Sequence, residues 1–307
     1  MELRHLRYFV AVAEERNFTR AAQRLNIAQP PLSRQIQQLE ESLGVQLLER
    51  NSRPLKLTET GKFFYSHASQ LLSQTAELES MTRRVGNIER SLSIGFVGST
   101  LYGMLPKIIR RFRDENTTVE LSLHEMSTMD QIRALKDGRI DVGFGRIRLE
   151  DTNIRRVILR EEKMIVAFPD SHPLSIAKPV VALRDLVNET LIIFPKSPRP
   201  SYADQVLAAF QDRALKPRRI YEVRELQIAL GLVAAGEGIS IVPSSVYGLK
   251  RDDVSYRELD DPTLVSPIIM SMRALDESRD IREMLELIYR LYEEQKISFS
   301  PRTDRGR

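Results

Sequence analysis

Residues 17–44 read NFTRAAQRLNIAQPPLSRQIQQLEESLG, and this stretch predicts two short helices joined by a tight turn. The first helix is expected over residues 18–25 and the turn over residues 26–28. The second helix is expected to begin at Gln29, because Pro30 and the proline after it are tolerated in a first helical turn, where the amides have no intrahelical partner.

The second helix has an apolar face and a polar face. Its apolar residues recur at helical spacing and are expected to face a core: Leu32, Ile36, Leu39 and Leu43. The polar residues left near its start are Ser33, Arg34, Gln37 and Gln38. Arginine can bind guanine through two hydrogen bonds and glutamine can bind adenine in the same way, so this face suits the DNA major groove. The helix pattern alone equally favours a solvated helix pair of an all-α protein.

The flanking segments extend the pair to a winged helix-turn-helix. An amphipathic helix precedes it, with the apolar residues Leu3, Leu6, Phe9, Val10 and Ala13. Residues 45–50 and 55–58 then predict two short strands. Arg50 and Arg53 lie in this wing, from which an arginine can reach a phosphate or a narrow minor groove.

Four segments resemble the N-terminal domain of LysR-type transcriptional regulators: residues 1–15, 18–25, 29–36 and 47–50. The resemblance implies a helix-turn-helix from Phe18 to Gln37. The residues that it places on DNA are Gln29, Pro30, Ser33 and Arg34 in the helix, with Arg50 and Arg53 on the wing. It also implies a dimer of dimers on double-stranded DNA with paired half-sites, and RNA polymerase as a further partner.

Composition limits the class of protein. The 307 residues exceed what one core normally supports, so two or three domains are expected. The formal charge of +4 and the pI near 9.3 favour an anionic partner. The sequence has no cysteine, no signal-peptide pattern and no run near the roughly 18 apolar residues of a membrane helix. We therefore expect a cytoplasmic protein without a membrane partner.

A long helix is expected after the wing, over residues 59–89, with Thr58 as its N-cap. Residues seven apart form a partly apolar heptad: Phe64, Leu71, Leu78 and Val85, alternating with His67, Gln74, Met81 and Ile88. This pattern predicts a linker helix that joins two DNA-binding domains, each occupying residues 1–58. The alternative is a helix that packs on its own chain.

From residue 90 the pattern changes to short β-rich runs separated by helices, which is typical of an α/β domain. Strands at residues 93–98, 119–125 and 140–145 alternate with helices at residues 101–114 and 129–137. A strand at residues 163–169 opens a second set. The predicted fold class is therefore α+β multidomain, with a two-lobed effector domain like that of periplasmic binding proteins. Subdomain I would comprise residues 90–161 and 267–297, subdomain II residues 162–266, and a disordered tail residues 298–307.

Hydroxyl residues follow the strands of both predicted lobes. They occur at Ser99 and Thr100, at Ser127 and Thr128, and at Ser201 and Tyr202 after Pro200. Ligands of α/β sheets bind beyond the carboxyl ends of the strands, where helix N-termini present free amides. The sequence therefore predicts a cradle for a small carboxylate, and a dicarboxylate would satisfy both lobes. For Ser99, Thr128 or Ser201 taken singly, a plain helix cap is the favoured alternative.

Residues 94–99, 138–146 and 222–243 resemble a narrower LysR-type subgroup that controls benzoate, catechol and chlorocatechol degradation and responds to cis,cis-muconate. This resemblance places the effector on Ser99, Thr128 and the segment from Pro200 to Tyr202. Tyr202 departs from the phenyl ring that the resemblance implies there. Arg146 and Arg160 have two interpretations: a second aromatic-acid pocket with the C-terminal helix or, preferred, ion pairs with Glu161 or Glu162.

An enzyme is not indicated. The four histidines lack metal-binding spacing, no cysteine nucleophile exists, and residues 234–238 lack the lysine and spacing of nucleotide-binding loops. We therefore expect no metal and no cofactor beyond a small carboxylate effector. The preferred interpretation is a transcriptional activator of an aromatic-compound catabolic operon. The alternatives are a LysR-type regulator of an unrelated pathway and a solute-binding protein, which would not retard DNA.

Overall fold

The computed structural model describes residues 1–49, 52, 54–85, 90–249 and 251–299. The chain divides into two compact units. Unit 1 comprises Met1–Gly86 with Lys136–Gly138, and unit 2 comprises Asn87–Leu135 with Arg139–Arg307. Within the described ranges, no helix combines the length and apolar character needed to cross a membrane.

Unit 1 is a winged helix-turn-helix followed by a long helix. Its elements are α1 (Leu3–Glu15), α2 (Phe18–Arg24), α3 (Gln29–Leu43), the antiparallel strands β1 (Leu48–Glu49) and β2 (Lys56–Leu57), and α4 (Glu59–Val85). Asn17 caps α2, because its side-chain oxygen accepts the amides of Thr19 at 2.8 Å and Arg20 at 3.1 Å. The core contains Phe9, Val12, Ala21, Leu32, Ile36 and Leu39.

Two residues predicted for this core are exposed at the ends of their helices. Leu43 is 37% exposed, because it is the last residue of α3 and Gly44, with φ 69°, turns the chain there. Leu3, the first residue of α1, is also exposed. The core therefore spans the middle of each helix and omits these two ends.

A buried carboxylate joins α3 to the first strand of the wing. Glu40 Oε1 accepts the backbone amides of Leu47 at 2.8 Å and Leu48 at 3.1 Å. Thr58 makes a second connection, between the wing and α4. Its hydroxyl donates to the Gln46 carbonyl and accepts the amide of Gly61. Thr58 therefore caps α4, as predicted, and also fastens the helix to the wing.

The exposed apolar stripe of α4 differs from the predicted heptad by one residue. Phe64 turns inward and packs edge-on against Phe9, with ring centroids 5.2 Å apart. The exposed stripe instead begins at Phe63, which is 66% exposed. It continues along the helix with Leu71, which is also exposed, and Leu78, which is 66% exposed. The position of Phe64 in the seam was therefore wrong, because the core of the winged domain takes that side chain. The side chains at positions 81, 85 and 88 lie outside the described residues.

Unit 2 contains two α/β lobes. Its strands are β3 (Ser91–Phe96), β4 (Glu120–Glu125), β5 (Val142–Gly145), β6 (Ile154–Pro169), β7 (Val180–Val181), β8 (Thr190–Ile193), β9 (Arg219–Glu222), β10 (Ser240–Pro243), β11 (Val254–Leu259) and β12 (Val265–Arg273). Its α-helices are α5 (Leu105–Glu115), α6 (Thr128–Lys136), α7 (Pro173–Ala177), α8 (Tyr202–Gln211), α9 (Leu226–Ala234) and α10 (Arg279–Glu294). Short 3-10 helices occupy Gly98–Tyr102, Leu183–Leu186 and Ser244–Leu249.

One long strand, β6, runs through both lobes. Its first part, from Ile154 to Lys163, pairs with β12, whereas residues from Met164 onward pair with β10 and β11. Lobe I also contains the parallel strands β4, β3 and β5, and lobe II the parallel pair β8 and β9. The sequence predicted only residues 163–169 as strand, because charged residues interrupt the apolar alternation of the first part.

Each lobe has its own hydrophobic core. The lobe I core includes Leu92, Ile94, Phe112, Phe144, Leu159 and Met284. The lobe II core includes Ile165, Val166, Ile192, Phe210 and Leu230. Phe299 packs near the rings of Tyr289 and Tyr292, so the predicted disordered tail was wrong at this residue. Residues 300–307 lie outside the described part of the chain.

Candidate effector cleft and DNA-binding helix

A cavity of about 330 Å³ lies between the two lobes of unit 2. The segments that line it follow the carboxyl ends of parallel strands: 97–99 after β3, 126–128 after β4, 146–147 after β5, 194–202 after β8 and 224–227 after β9. Ligands of α/β sheets bind at such ends. The topology therefore directs five turns into one cleft.

The cleft brings together most of the residues predicted to bind an effector. Its lining includes Ser99 and Thr128 from lobe I, and Pro200, Ser201 and Tyr202 from lobe II. Thr100 is absent from the lining, because its buried hydroxyl donates to the Val97 carbonyl at 2.7 Å. The side chain of Thr100 therefore holds the 3-10 turn together and lies outside the cleft lining.

Thr128 is a wall residue and is not the cap of α6. The neighbouring Ser127 takes the cap position, because its hydroxyl accepts the Asp130 amide at 3.1 Å. Gly145 at the end of β5 provides the space for Thr128. A Cβ at Gly145 would lie 2.8 Å from Thr128 Oγ1, closer than side chains normally approach. Glycine at this position therefore leaves room for the side chain of Thr128, a residue of the cleft lining.

Arg146 connects the lobe I wall to a buried ion-pair network. Its Nε donates to Ser99 Oγ at 2.8 Å and its Nη2 donates to Glu162 Oε2 at 2.7 Å. Arg160 donates to the other oxygen of Glu162, and Ser245 Oγ donates to Oε2 at 3.1 Å. The preferred interpretation of the two arginines, ion pairs with Glu162, is thus observed. Arg146 also lines the cleft, so it belongs to the candidate site as well.

The lobe II wall is the loop before α8 together with the first turn of that helix. The Ser201 amide donates to Asp204 Oδ2 at 2.6 Å, and the Ser201 hydroxyl donates to the Pro195 carbonyl at 3.1 Å. Arg199 fixes the loop from outside, because its Nη1 donates to Asp204 at 2.6 Å and its Nη2 to Glu222 at 2.9 Å. The N-terminal end of α8, with its partial positive charge, is thus held at the cleft.

Two buried polar groups in the cleft lining lack a hydrogen-bond partner among the described residues. They are Arg146 Nη1 and the hydroxyl of Tyr202, and both residues are buried. Burial raises the pKa of Tyr202 far above its usual range; Arg146 opposes this rise and Glu162 adds to it. The phenol therefore stays protonated at neutral pH and can donate a hydrogen bond.

Two glutamines link the lobes around the cleft. Gln205 Nε2 on α8 donates to the Arg146 carbonyl at 2.6 Å, and its Oε1 accepts from Ser266 at 3.1 Å. Gln227 on α9 donates to the hydroxyl of Tyr102 in lobe I. A change in the separation of the lobes would break or remake these bonds.

The start of α3 presents polar side chains on the surface of unit 1. Gln29, Pro30, Arg34 and Gln37 are exposed and Ser33 is half-buried, whereas Leu32 and Ile36 face the core. Gln37 donates to Glu41 at 3.0 Å. Arg50 and Arg53 of the predicted wing lie outside the described residues.

Comparison with known proteins places both units in one family. Residues 86–292 match the LysR substrate binding domain, and residues 3–62 match the bacterial regulatory helix-turn-helix protein, lysR family. The chain belongs to the LysR family of transcriptional regulators. The prediction of a regulator and not an enzyme, and of a helix-turn-helix joined to an α/β effector domain, is confirmed by these matches.

Individual relatives cover nearly the whole of this LysR-type regulator. It is 51% identical over 293 residues to the HTH-type transcriptional regulator BenM of Acinetobacter baylyi, covering 95% of this chain and 96% of that protein. It is 48% identical to the probable cat1 operon transcriptional activator of Acinetobacter lwoffii, with 96% and 97% of the two chains covered.

Two solved structures are similar to this regulator. The BenM effector binding domain with its effector benzoate has a TM-score of 0.66 at 43% identity and covers 69% of this chain and 96% of that one. Full-length CbnR complexed with its target DNA has a TM-score of 0.61 at 33% identity and covers 94% and 99%.

Several residues that shape the regulator's cleft were not predicted from the sequence. Glu162, Arg199, Gln205 and Gln227 shape the cleft, but each is an isolated polar residue in the sequence. Arg146 was considered but not included in the primary site. Its position at the end of β5, the third parallel strand of lobe I, was the signal that could have placed it there.

We predict that Gly145→Ala destabilises the regulator by about 1–3 kcal/mol, because the added methyl group would collide with Thr128. The collision disappears in the background of Thr128→Ala, where the nearest remaining atom of residue 128 is Cβ at 3.4 Å. Urea unfolding of the four chains of this double-mutant cycle measures the effect. An equal loss in both backgrounds would show that Thr128 is not the neighbour that requires glycine.

Proposed function

We propose that this regulator activates an aromatic-compound catabolic operon when a small carboxylic acid such as cis,cis-muconate binds in the cleft. The observation that carries the proposal is a cavity of about 330 Å³ whose lining includes hydrogen-bond donors from both lobes. That volume is at the low end of the roughly 300–1,000 Å³ of ligand pockets and suits a small acid. The benzoate-bound effector domain of BenM and the similarity to the cat1 operon activator support the same class. We place the protein in the cytoplasm, where DNA is accessible.

The two walls offer different donors to an acid. Lobe I contributes the hydroxyls of Ser99 and Thr128 and the unpaired Nη1 of Arg146. Lobe II contributes Tyr202 and the N-terminal end of α8, where amides and the helix dipole favour a negative charge. An acid with a carboxylate at each end could contact both walls, and this favours muconate over a monocarboxylic acid.

DNA binding belongs to the exposed start of α3. We assign base contacts to Arg34 and Gln29, and further DNA contacts to Pro30 and Ser33. Arg50 and Arg53 would contact the DNA from the wing. The structure of full-length CbnR with its target DNA supports DNA binding by a relative that aligns over 94% of this chain and 99% of its own.

A second copy of the chain would cover the apolar stripe of α4. Phe63, Leu71 and Leu78 leave a row of apolar side chains in solvent on one long helix, and pairing with another copy would bury them. Two paired copies would present two DNA-binding helices to two half-sites. A dimer of dimers on the promoter, in contact with RNA polymerase, completes the proposed assembly.

The proposed switch is a shift between two lobe arrangements. Acid that contacts both lobes binds the closed arrangement more tightly, and the equilibrium moves by no more than this difference in affinity. Gln205 and Gln227 cross between the lobes, so their hydrogen bonds differ between the two arrangements. The change in lobe position then alters how subunits pack and how the DNA-binding domains are spaced.

Replacing Arg34 by alanine is expected to weaken binding to the specific operator by about 1–3 kcal/mol, because a bidentate base contact is lost. Arg7, an exposed residue of α1, provides a control in which Arg7→Ala removes the same charge away from the recognition helix. Fluorescence anisotropy with operator and scrambled DNA measures both. If Arg34→Ala weakens binding to the two DNAs equally, Arg34 contacts phosphate and reads no base.

Calorimetric titration of the full-length chain with cis,cis-muconate is expected to show saturable binding. The combined variant Ser99→Ala and Thr128→Ala should abolish it, because the lobe I wall then loses both hydroxyl donors. Thr117→Ala, at an exposed threonine outside the cleft, should bind normally. Unchanged binding by the double variant would refute this pocket, and no binding by the wild-type chain would refute muconate as effector.

Leu78→Glu is expected to reduce self-association, because a charge in the proposed helix pair must be desolvated or separated. Sedimentation velocity at several concentrations measures the change, with Glu79→Gln on the same exposed turn as the control. Identical sedimentation of the wild-type chain and Leu78→Glu would exclude this stripe as the contact.

A further inference from the structure

Tyr202 occupies a fixed position in the cleft wall. It is the first residue of α8 and only 6% exposed, and its ring stacks on Phe194 with centroids 5.2 Å apart and planes 26° apart. Stacking and burial hold the ring in one orientation. The hydroxyl therefore cannot turn toward bulk solvent to find a partner.

The hydroxyl of Tyr202 is unpaired among the described residues. A buried hydroxyl without a hydrogen bond disfavours folding, whereas phenylalanine would keep the ring and its stacking without this penalty. The ring alone thus gives no reason for tyrosine at this position. The hydroxyl oxygen has almost no accessible surface in this arrangement, so an acceptor in the cavity would satisfy it after a small shift of the cleft wall.

A second unpaired donor lines the same cavity. Arg146 is 2% exposed, its Nε is bound to Ser99 and its Nη2 to Glu162, but its Nη1 has no partner among the described residues. The ion pair with Glu162 fixes the guanidinium plane and therefore the direction of the free N–H groups. The wall of one cavity thus contains one neutral donor and one cationic donor that have no partner among the described residues.

We infer that the hydroxyl of Tyr202 is a specificity-determining donor that makes the cleft select dicarboxylic acids over monocarboxylic acids of the same carbon skeleton. This inference rests on the proposed function of the cleft and adds the residue that discriminates. A monocarboxylic acid occupies the hydroxyls of one wall and leaves a donor unpaired. A dicarboxylic acid supplies an acceptor to both ends, and sites built to hydrogen-bond a ligand discriminate strongly against analogues that lack the group.

The experiment compares cis,cis-muconate with (2Z,4Z)-hexa-2,4-dienoate, which has the same carbon chain with a methyl group in place of one carboxylate. Titration calorimetry on the full-length chain gives the affinity ratio of the two acids. Tyr202→Phe is expected to reduce the preference for muconate roughly tenfold to a hundredfold, which is the range for a hydrogen bond to a charged group. An unchanged ratio overturns the inference, whether both acids keep their affinity or lose it equally.

A matched control keeps the test specific. Tyr256 on β11 also has an unpaired hydroxyl among the described residues, but it lies outside the cavity lining. Tyr256→Phe should therefore leave the affinity ratio unchanged. If it changes the ratio as much as Tyr202→Phe does, the effect is not local to the cleft and the inference fails.

Thermal unfolding separates this inference from the proposed effector. Without acid, Tyr202→Phe should unfold at the same temperature as the wild-type chain or higher, because it removes an unpaired buried hydroxyl. A lower midpoint would mean that the hydroxyl is bound within the protein, and this overturns the inference even if muconate binds. If the wild-type chain binds neither acid, the muconate proposal and the inference fail together; if muconate binds and Tyr202→Phe leaves the affinity ratio unchanged, only the inference fails.

Discussion

The carboxylate of Glu162 is the interaction on which the architecture of the cleft depends. It lies in β6, where the strand passes from one lobe to the other, and it is almost fully buried. A buried charge is tolerated only when it is paired and hydrogen-bonded. Arg146, Arg160 and Ser245 provide those bonds, and they come from separate parts of unit 2. The pairing requirement of one carboxylate thus fixes Arg146, which lines the cleft.

The charges and donors around Arg146 are the basis for proposing an acid as the ligand of the cleft. Arg146 and Arg160 share the single carboxylate of Glu162, so this buried cluster keeps an excess of positive charge. The remaining N–H groups and the hydroxyl of Tyr202 are donors without acceptors among the described residues. A carboxylate satisfies such donors without leaving a new buried charge unpaired. A polar neutral ligand would use the same groups more weakly.

Local rules recover the winged domain well from the sequence and the cleft only in part. The prolines at the start of α3 and the spacing of Leu32, Ile36 and Leu39 determine that helix through short-range effects. The position of Phe64 inside the core, and of Phe63 outside it, depends on Phe9 far away in the chain. Periodicity carries no information on that contact. For the same reason the sequence located the turns that bear Ser99, Thr128 and Tyr202, but not the side chains that reach them from other elements.

The central claim is that an acid bound in the cleft of unit 2 changes how the winged domains of unit 1 hold DNA. The most direct measurement is a footprint of the full-length chain on its promoter fragment with and without cis,cis-muconate. We predict that the acid shortens or shifts the protected region and removes DNA-bend hypersensitivity, and that Thr128→Ala shows the same footprint in both conditions. An identical wild-type footprint with and without saturating acid would contradict the account.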